Sequence, residues 1–232
     1  GAKDELENIL LSVGFPSLMS IKGDHEIALR GAFEQHSGVL LISGTGSICF
    51  GQSESGQVAR AGGYGYLLDD VGSAFSVGLK MLRYWIQAFD GRIPSSDMLD
   101  CVTNILSETS SPLNKAMDLA YGPEFDKAKI ASIAKDYEVF LLQEDPYALA
   151  IFSEESDGIL RMVKAVSTAL HLNKPKLVTQ GGFIKHNPTF AKLLYEKLIF
   201  EIPNLEIVKP EADAIYGAAD FVKELYNARY VG

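Results

Sequence analysis

The sequence predicts a mixed α/β protein, because β-prone apolar runs occur first as a closely spaced group and later between helical segments. Residues 39–43 are a continuous Val-Leu-Leu-Ile-Ser run, typical of a strand that is covered on both faces. Residues 47–51 and 57–61 follow after two glycine-bearing turns, which predicts a three-stranded antiparallel meander. Residues 176–180 and 205–208 are later strands separated by a helical segment, so parallel strands are expected to extend the meander.

Helical periodicity accounts for most of the remaining chain. Residues 4–13 and 26–33 predict two short helices, with a short strand at 18–21 between them. A long helix is predicted from Val71 to about Gly91, where the glycine ends the pattern. The later helices are predicted from apolar residues at helical spacing: Ile130, Ile133, Tyr137 and Phe140; Ile159, Val163, Val166 and Leu170; residues 188–200; and Ile215, Ala218, Val222 and Leu225.

The composition argues against several classes of function. A formal net charge of −9 speaks against a nucleic-acid binder, because phosphate backbones are held by Lys and Arg. No apolar run approaches the roughly 20 residues that a membrane helix needs, so no membrane association is expected. Cys49 and Cys101 form no paired motif, which favours a reducing, cytoplasmic location. The four histidines are not spaced as metal ligands, so no protein-bound metal is expected.

The segment Ser43-Gly44-Thr45-Gly46-Ser47 is the strongest functional signal, because it forms the predicted tip of the first hairpin. Glycines on both sides of Thr45 allow the backbone to approach an oxyanion, and successive N–H groups in such a turn bind anions. A simple tight hairpin is the alternative. The pentapeptide therefore predicts a phosphate site or an ordinary turn.

A second glycine-rich segment runs from Ala61 to Ser73 and leads directly into the long helix. Three glycines within four residues, at 62–65, are typical of a loop that bends sharply or admits a ligand. Asp70 is a candidate ligand-binding carboxylate, but Asp70 or Ser73 would also serve as the helix N-cap. Both interpretations remain open at this stage.

Two further positions have the same double interpretation. Asp24 precedes a short helix, where its carboxylate suits either a general base toward an alcohol or a helix cap. Gly181 and Gly182 follow a strand and precede a helix, at the edge where open α/β sheets bind ligands, although a plain turn is the alternative.

The order of these segments resembles that of the BadF/BadG/BcrA/BcrD-type ATPase family, whose N-acetylglucosamine-kinase branch belongs to the sugar kinase/heat-shock chaperone/actin superfamily. The resemblance covers nearly the whole chain from about Phe15. It is most specific from Gly38 to Ser73, where a GTGS hairpin precedes a GGWG-like loop and a GDEGS-like turn. It implies a ribonuclease H-like, actin-like ATPase fold, and an ATP-dependent kinase that phosphorylates an amino sugar such as N-acetylglucosamine.

The resemblance also implies a role for each matching position. ATP would be bound with Mg²⁺ on its phosphates, Asp24 would be the catalytic base, and the remaining positions would bind substrates. The phosphate loop would be Gly44, Thr45, Gly46 and Ser47; the adenosine motif would be Gly181 and Gly182; and the amino-sugar pocket would include Gly63, Tyr64 and Asp70.

Three departures from the family pattern bear on activity. The GDEGS-like turn has Asp69 in place of a glycine and Val71 in place of an acid, and Tyr64 stands where the family has Trp. The DGGGT-like first phosphate loop has no counterpart before Lys3. We therefore expect residues 1–35 to be a remnant of a first lobe, residues 36–232 to be the C-terminal actin-like ATPase domain, and catalysis by this chain alone to be weak or absent.

Two other functions are compatible with the same residues. One is a non-catalytic sugar- or nucleotide-binding or regulatory module derived from such a kinase. The other is the family's activator branch, which needs cysteine ligands for an iron–sulfur cluster, a spacing that Cys49 and Cys101 do not provide. A homodimer is also expected, because the loss of a first lobe would expose apolar surface.

Overall fold

Five strands form one mixed sheet in the order β3-β2-β1-β4-β5. In the computed structural model, which describes residues 2–15, 19–107, 111–123 and 125–230, the strands are β1 (Gly38–Ser43), β2 (Ser47–Gln52), β3 (Val58–Gly62), β4 (Lys176–Gln180) and β5 (Glu206–Ile207). β1, β2 and β3 pair antiparallel, whereas β4 pairs parallel with β1 and β5 parallel with β4. The predicted meander and its parallel extension are confirmed.

The register places the two glycine motifs side by side. Ser43 at the end of β1 pairs with Ser47 at the start of β2, so residues 44–46 form the hairpin tip. Ile42 lies next to Gln180 in the parallel β1–β4 pair. β1 and β4 therefore leave the sheet at the same edge, where the GTGS tip and the glycine pair after β4 become neighbours.

Eleven helices are described around the sheet: α1 (Ala2–Ser12), α2 (Asp24–Ala32), α3 (Ala74–Phe89), α4 (Asp97–Leu106), α5 (Pro112–Tyr121), α6 (Lys127–Ile133), α7 (Tyr137–Leu142), α8 (Pro146–Ala169), α9 (Gly182–His186), α10 (Pro188–Glu201) and α11 (Ala214–Tyr230). The predicted strand at 18–21 is wrong for residues 19–21, which belong to no strand, and Leu18 lies outside the described residues. The long helix begins at Ala74 rather than Val71. Residues 70–73 form a turn before it, and Ser73 is the N-cap of the helix.

The larger core lies on one face of the sheet, beneath α3, α4, α6, α7, α8 and α10. Val39, Leu41 and Cys49 point into it from β1 and β2 and are fully buried. Tyr137 and Ile130 from the middle helices are buried in the same cluster, as their helical spacing predicts. This apolar layer supports the sheet edge that carries the two glycine motifs.

The opposite face of the sheet is covered by α2, against which α11 packs. The two helices approach closely at Gly31 and Gly217, since a Cβ on Gly217 would lie 2.0 Å from the carbonyl oxygen of Ile27. The apolar face predicted for α11 is partly wrong, because Ile215 and Val222 are exposed and the buried contact is made by small residues. None of the described helices is both long and apolar enough to cross a bilayer.

Candidate functional site

The GTGS tip is fastened to the start of α3 by its carbonyl groups. The N–H groups of Ala74 and Phe75 donate to the carbonyl oxygens of Gly44 (2.9 Å) and Thr45 (3.4 Å). Within the tip, the Gly44 N–H donates to the Gly46 carbonyl at 2.9 Å. The N–H groups of Thr45 and Gly46 have no acceptor among the described residues. The tip therefore offers two successive free N–H donors, the arrangement that binds anions.

Asp70 lies beneath this tip and is almost fully buried, with 3% of its surface exposed. Its carboxylate accepts the Ser47 N–H at 3.2 Å and a hydrogen bond from the Lys127 ammonium at 2.5 Å. The cap of α3 is Ser73, whose hydroxyl accepts the Ser76 N–H at 3.1 Å. The capping interpretation of Asp70 is therefore wrong, and the carboxylate instead accepts a hydrogen bond from Ser47 of the hairpin.

The turn at residues 70–73 is held from both sides. The hydroxyls of Ser43 and Ser47 donate to the carbonyl oxygens of Gly72 and Val71, each at 2.6 Å. From α8, the fully buried Glu155 accepts the Gly72 N–H. This turn and the GTGS tip thus form one rigid unit, which fixes the position of the Asp70 carboxylate.

An open cavity of about 660 Å³ lies at this edge of the sheet, within the size range of ligand pockets, roughly 300–1,000 Å³. It is bounded by the hairpin tip, α6 and α9. Its lining residues are Gly44, Thr45, Ala74, Ala128, Ala131, Ser132, Ala134, Lys135, Asp136, Gly182, Phe183, His186 and Asn187. Three residues predicted to bind ATP therefore share one cavity: Gly44, Thr45 and Gly182.

The glycine pair after β4, Gly181 and Gly182, occupies two positions that favour glycine for different structural reasons. Gly182 has open space where a Cβ would stand, as expected of a residue that admits a ligand. Gly181 has a φ of +111°, and its Cβ would lie 2.2 Å from the Ser43 carbonyl oxygen. The absent side chain of Gly181 thus allows the backbone that follows β4 to pass close to Ser43 at the end of β1, a steric reason for glycine at this position.

Asp24 is the first residue of α2 and is exposed. Gly23 is the N-cap, and its N–H is accepted by Glu26 at 2.7 Å. Among the described residues, the Asp24 carboxylate has no hydrogen bond or ion pair. The capping interpretation is therefore wrong, and this carboxylate is exposed to solvent.

Two contacts fix the direction of α2 over the sheet. His25 packs edge-on against Phe50 at 4.7 Å, whereas Phe33 reaches Gly38 at the start of β1. Burial lowers the pKa of His25 below its usual value, although the negative charge of Glu26 opposes the shift. His25, one residue after Asp24, therefore lies level with Leu40 in the middle of β1, because Leu40 is the partner of Phe50, and α2 ends near the start of that strand.

Gly63 and Tyr64 lie on the same side of the sheet as α2. Arg60 donates to the Gly63 carbonyl at 2.8 Å and stacks over the Tyr64 ring at 4.4 Å. Arg60 is paired with Phe50 across β2 and β3, which places it on the face that α2 covers. Of the three predicted sugar residues, Gly63 and Tyr64 are thus together, while Asp70 is beneath the hairpin.

The described residues contain one group of metal-ligand type, formed by His36, Asp220 and Glu224. Arg30 already pairs with both of its carboxylates, at 2.7 Å in the case of Asp220. This group ties α2 to α11 and lies away from the cavity at the GTGS edge.

Sequence reasoning missed three parts of the site. Lys127 and Glu155 contact it from 57 and 83 residues away from their partners, so no local pattern identifies them. The wall formed by α6 and the residues after it was detectable, because Ala128, Ala131 and Ser132 of α6 and Lys135 beyond its end recur at helical spacing.

Comparison with known proteins gives a consistent result. The sequence matches the model of the BadF/BadG/BcrA/BcrD ATPase family over residues 7–222. It is 28% identical over 218 residues to the N-acetylmuramic acid/N-acetylglucosamine kinase of Clostridium acetobutylicum, covering 93% of this chain and 71% of that protein. It is 31% identical over 211 residues to the N-acetyl-D-glucosamine kinase of Dictyostelium discoideum, covering 86% and 64%.

The fold has a counterpart among solved structures. A crystal structure from Chromobacterium violaceum, provisionally described as an N-acetylglucosamine kinase, superposes with a TM-score of 0.74 at 21% identity. The match covers 96% of this chain and 73% of that chain. The predicted ribonuclease H-like, actin-like fold is confirmed. Since the family model spans most of the sequence, the chain belongs to the BadF/BadG/BcrA/BcrD ATPase family.

Proposed function

We propose that this chain carries the nucleotide- and sugar-binding machinery of an ATP-dependent kinase that phosphorylates an amino sugar such as N-acetylglucosamine. The observation that carries the proposal is the cavity at the GTGS edge, because it joins Gly44 and Thr45 of the phosphate loop to Gly182 of the adenosine motif. The two relatives from Clostridium acetobutylicum and Dictyostelium discoideum are both described as amino-sugar kinases, which supports an amino sugar as the acceptor.

The cavity suits a nucleotide on chemical grounds. The free N–H groups of Thr45 and Gly46 would hold the terminal phosphates, as backbone donors do in other phosphate loops. The small residues of α6 and the open side of Gly182 would accommodate the nucleoside. Phosphoryl transfer depends mainly on positioning and charge stabilisation, which these groups would supply.

Asp24 is the group proposed to move the proton. Its exposed carboxylate would accept the hydroxyl proton of the sugar as the hydroxyl oxygen bonds to the γ-phosphorus. The bond between that phosphorus and the bridging oxygen then breaks, and ADP leaves. Gly63 and Tyr64, on the same side of the sheet as Asp24, are proposed to bind the sugar. Asp70, predicted to accept sugar hydroxyls as well, is buried beneath the hairpin, where its two oxygens already accept from Ser47 and Lys127.

Mg²⁺ would be bound mainly by the phosphates, since Mg²⁺ typically uses only one or two protein carboxylates together with phosphate oxygens. Asp70 is the carboxylate nearest to the hairpin tip, but Lys127 and the Ser47 N–H already occupy its oxygens. Residues 1–232 contain no DGGGT-like turn, so we also propose that these residues alone turn over slowly.

Isothermal titration of this chain with ATP·Mg²⁺, N-acetylglucosamine and glucose tests the proposal. We expect binding of ATP and of the amino sugar but not of glucose. Gly182→Val should weaken both ATP and adenosine about tenfold or more, because overpacking costs about 1–3 kcal/mol. Lys185→Val, on the exposed side of the same helix, is the control. Equal effects of the two variants, or no nucleotide binding by the wild type, would refute the nucleotide site.

The non-catalytic module is the second candidate, and the loss of an acid at Val71 favours it. The full-length protein distinguishes the two candidates. A kinase loses turnover about 10²–10⁴-fold when Asp24 is changed to Asn. A binding module has no turnover to lose, and its sugar affinity is unchanged by this substitution.

A further inference from the structure

Lys127 places an ammonium group directly against the GTGS tip. Its Nζ donates to Asp70 at 2.5 Å, and a Cβ on Gly46 would lie 2.8 Å from the same nitrogen. The next residue, Ala128, lines the cavity. The cation therefore stands beside Gly46 of the tip, and its residue directly precedes the part of α6 that lines the cavity.

The ammonium of Lys127 has donors to spare. A lysine carries three N–H donors, and Asp70 is its one hydrogen-bond acceptor among the residues that the structure describes. The Lys127 side chain keeps 28% of its surface exposed, whereas that of Asp70 keeps 4%. The Lys127 side chain is thus partly accessible to solvent, while the Asp70 carboxylate holds its nitrogen from the buried side.

The negative charge of a nucleotide is the reason that the position of Lys127 matters for binding. The N–H groups of Thr45 and Gly46 are neutral, but the terminal phosphates of a nucleotide carry several negative charges. The chain itself has a net charge of −9, so a cation beside the phosphates would, together with Mg²⁺, reduce the repulsion. Lys135 also lines the cavity, but it lies eight residues further along, beyond the end of α6.

We propose that Lys127 is a phosphate-binding residue of this site, held against the hairpin tip by Asp70. The inference rests on the proposed nucleotide site and adds to it a residue and a role. The competing explanation is that the Lys127–Asp70 pair is only a clamp between α6 and the hairpin. A clamp needs both partners equally, whereas a phosphate contact needs the lysine far more than the aspartate.

Binding of ATP·Mg²⁺ and of adenosine to this chain, measured by isothermal titration, separates these roles. Lys127→Met should weaken ATP about ten- to hundredfold, the range expected for a lost hydrogen bond to a charged group, and leave adenosine within about twofold. Asp70→Asn keeps an acceptor for Ser47 and should retain ATP affinity within about threefold. Lys129→Met removes the same charge from an exposed position on the same helix and should change neither ligand.

Each other outcome counts against the inference. Equal losses of ATP affinity in the Lys127 and Asp70 variants would identify a clamp. An equal effect of Lys127→Met on ATP and adenosine would show damage to the cavity rather than a lost phosphate contact. If Lys127→Met fails to fold, Lys127→Arg is measured in its place and should retain at least about a third of the wild-type affinity for ATP. Wild-type protein that binds neither ligand would overturn the proposed function as well, and wild-type binding therefore distinguishes the two failures.

Discussion

Glu155 offers the sharpest test of how the site is held together. Its side chain is fully buried in α8 and accepts the Gly72 N–H and the Ser76 hydroxyl, the latter at 2.6 Å. The Lys80 ammonium lies 3.3 Å from the same carboxylate. Glu155 therefore links the turn that carries Asp70 to both α3 and α8.

Glu155→Ala should lower the free energy of unfolding by about 3–5 kcal/mol, because removal of one partner leaves buried donors without acceptors. For a domain of this size, that corresponds to a fall in Tm of roughly 10 °C. Glu155→Gln should cost only about 1 kcal/mol, since the amide oxygen can still accept the Gly72 N–H while the charge is lost.

Urea denaturation followed by circular dichroism measures both variants. The control is Glu154→Ala: Glu154 also pairs with Lys80, but its side chain is 57% exposed, so its loss should cost less than about 1 kcal/mol. If Glu155→Ala destabilised the chain no more than Glu154→Ala, the buried network would not hold the turn. A Glu155→Gln variant as unstable as Glu155→Ala would show that charge, rather than hydrogen bonding, is the essential property.

Two other predictions follow from the same geometry. Gly181→Ala should lower the free energy of unfolding by about 2–4 kcal/mol, because the position has a positive φ and the new Cβ would clash with Ser43. Gly182→Ala should leave the free energy of unfolding unchanged or raise it by up to about 1 kcal/mol. Equal stabilities of the two variants in urea denaturation would contradict the close β1–β4 approach. Burial raises the pKa of the Cys49 thiol far above its usual range and that of the Cys101 thiol less. Iodoacetamide should therefore label Cys101 first and Cys49 only on unfolding, and mass spectrometry that finds Cys49 labelled in native protein would refute its burial.

The strands and turns were predictable because their signals are local. An apolar β-prone run at residues 39–43, followed by glycines at 44 and 46, can form little other than a strand and a hairpin tip. Ile130 and Tyr137 were likewise predictable as core residues from their spacing alone. The short strand expected at 18–21 failed for residues 19–21, because apolar content in so short a segment does not specify a pairing partner.

The sequence by itself determined where the GTGS hairpin tip and the glycine pair lie, since backbone freedom at glycine is a property of single positions. Only the tertiary structure decided which groups each carboxylate contacts. Neither Asp24 nor Asp70 caps its helix, because Gly23 and Ser73 take that position. The partners of the site, Lys127 and Glu155, come from helices far along the chain. Such contacts depend on how whole helices pack against the sheet, which no window of neighbouring residues records.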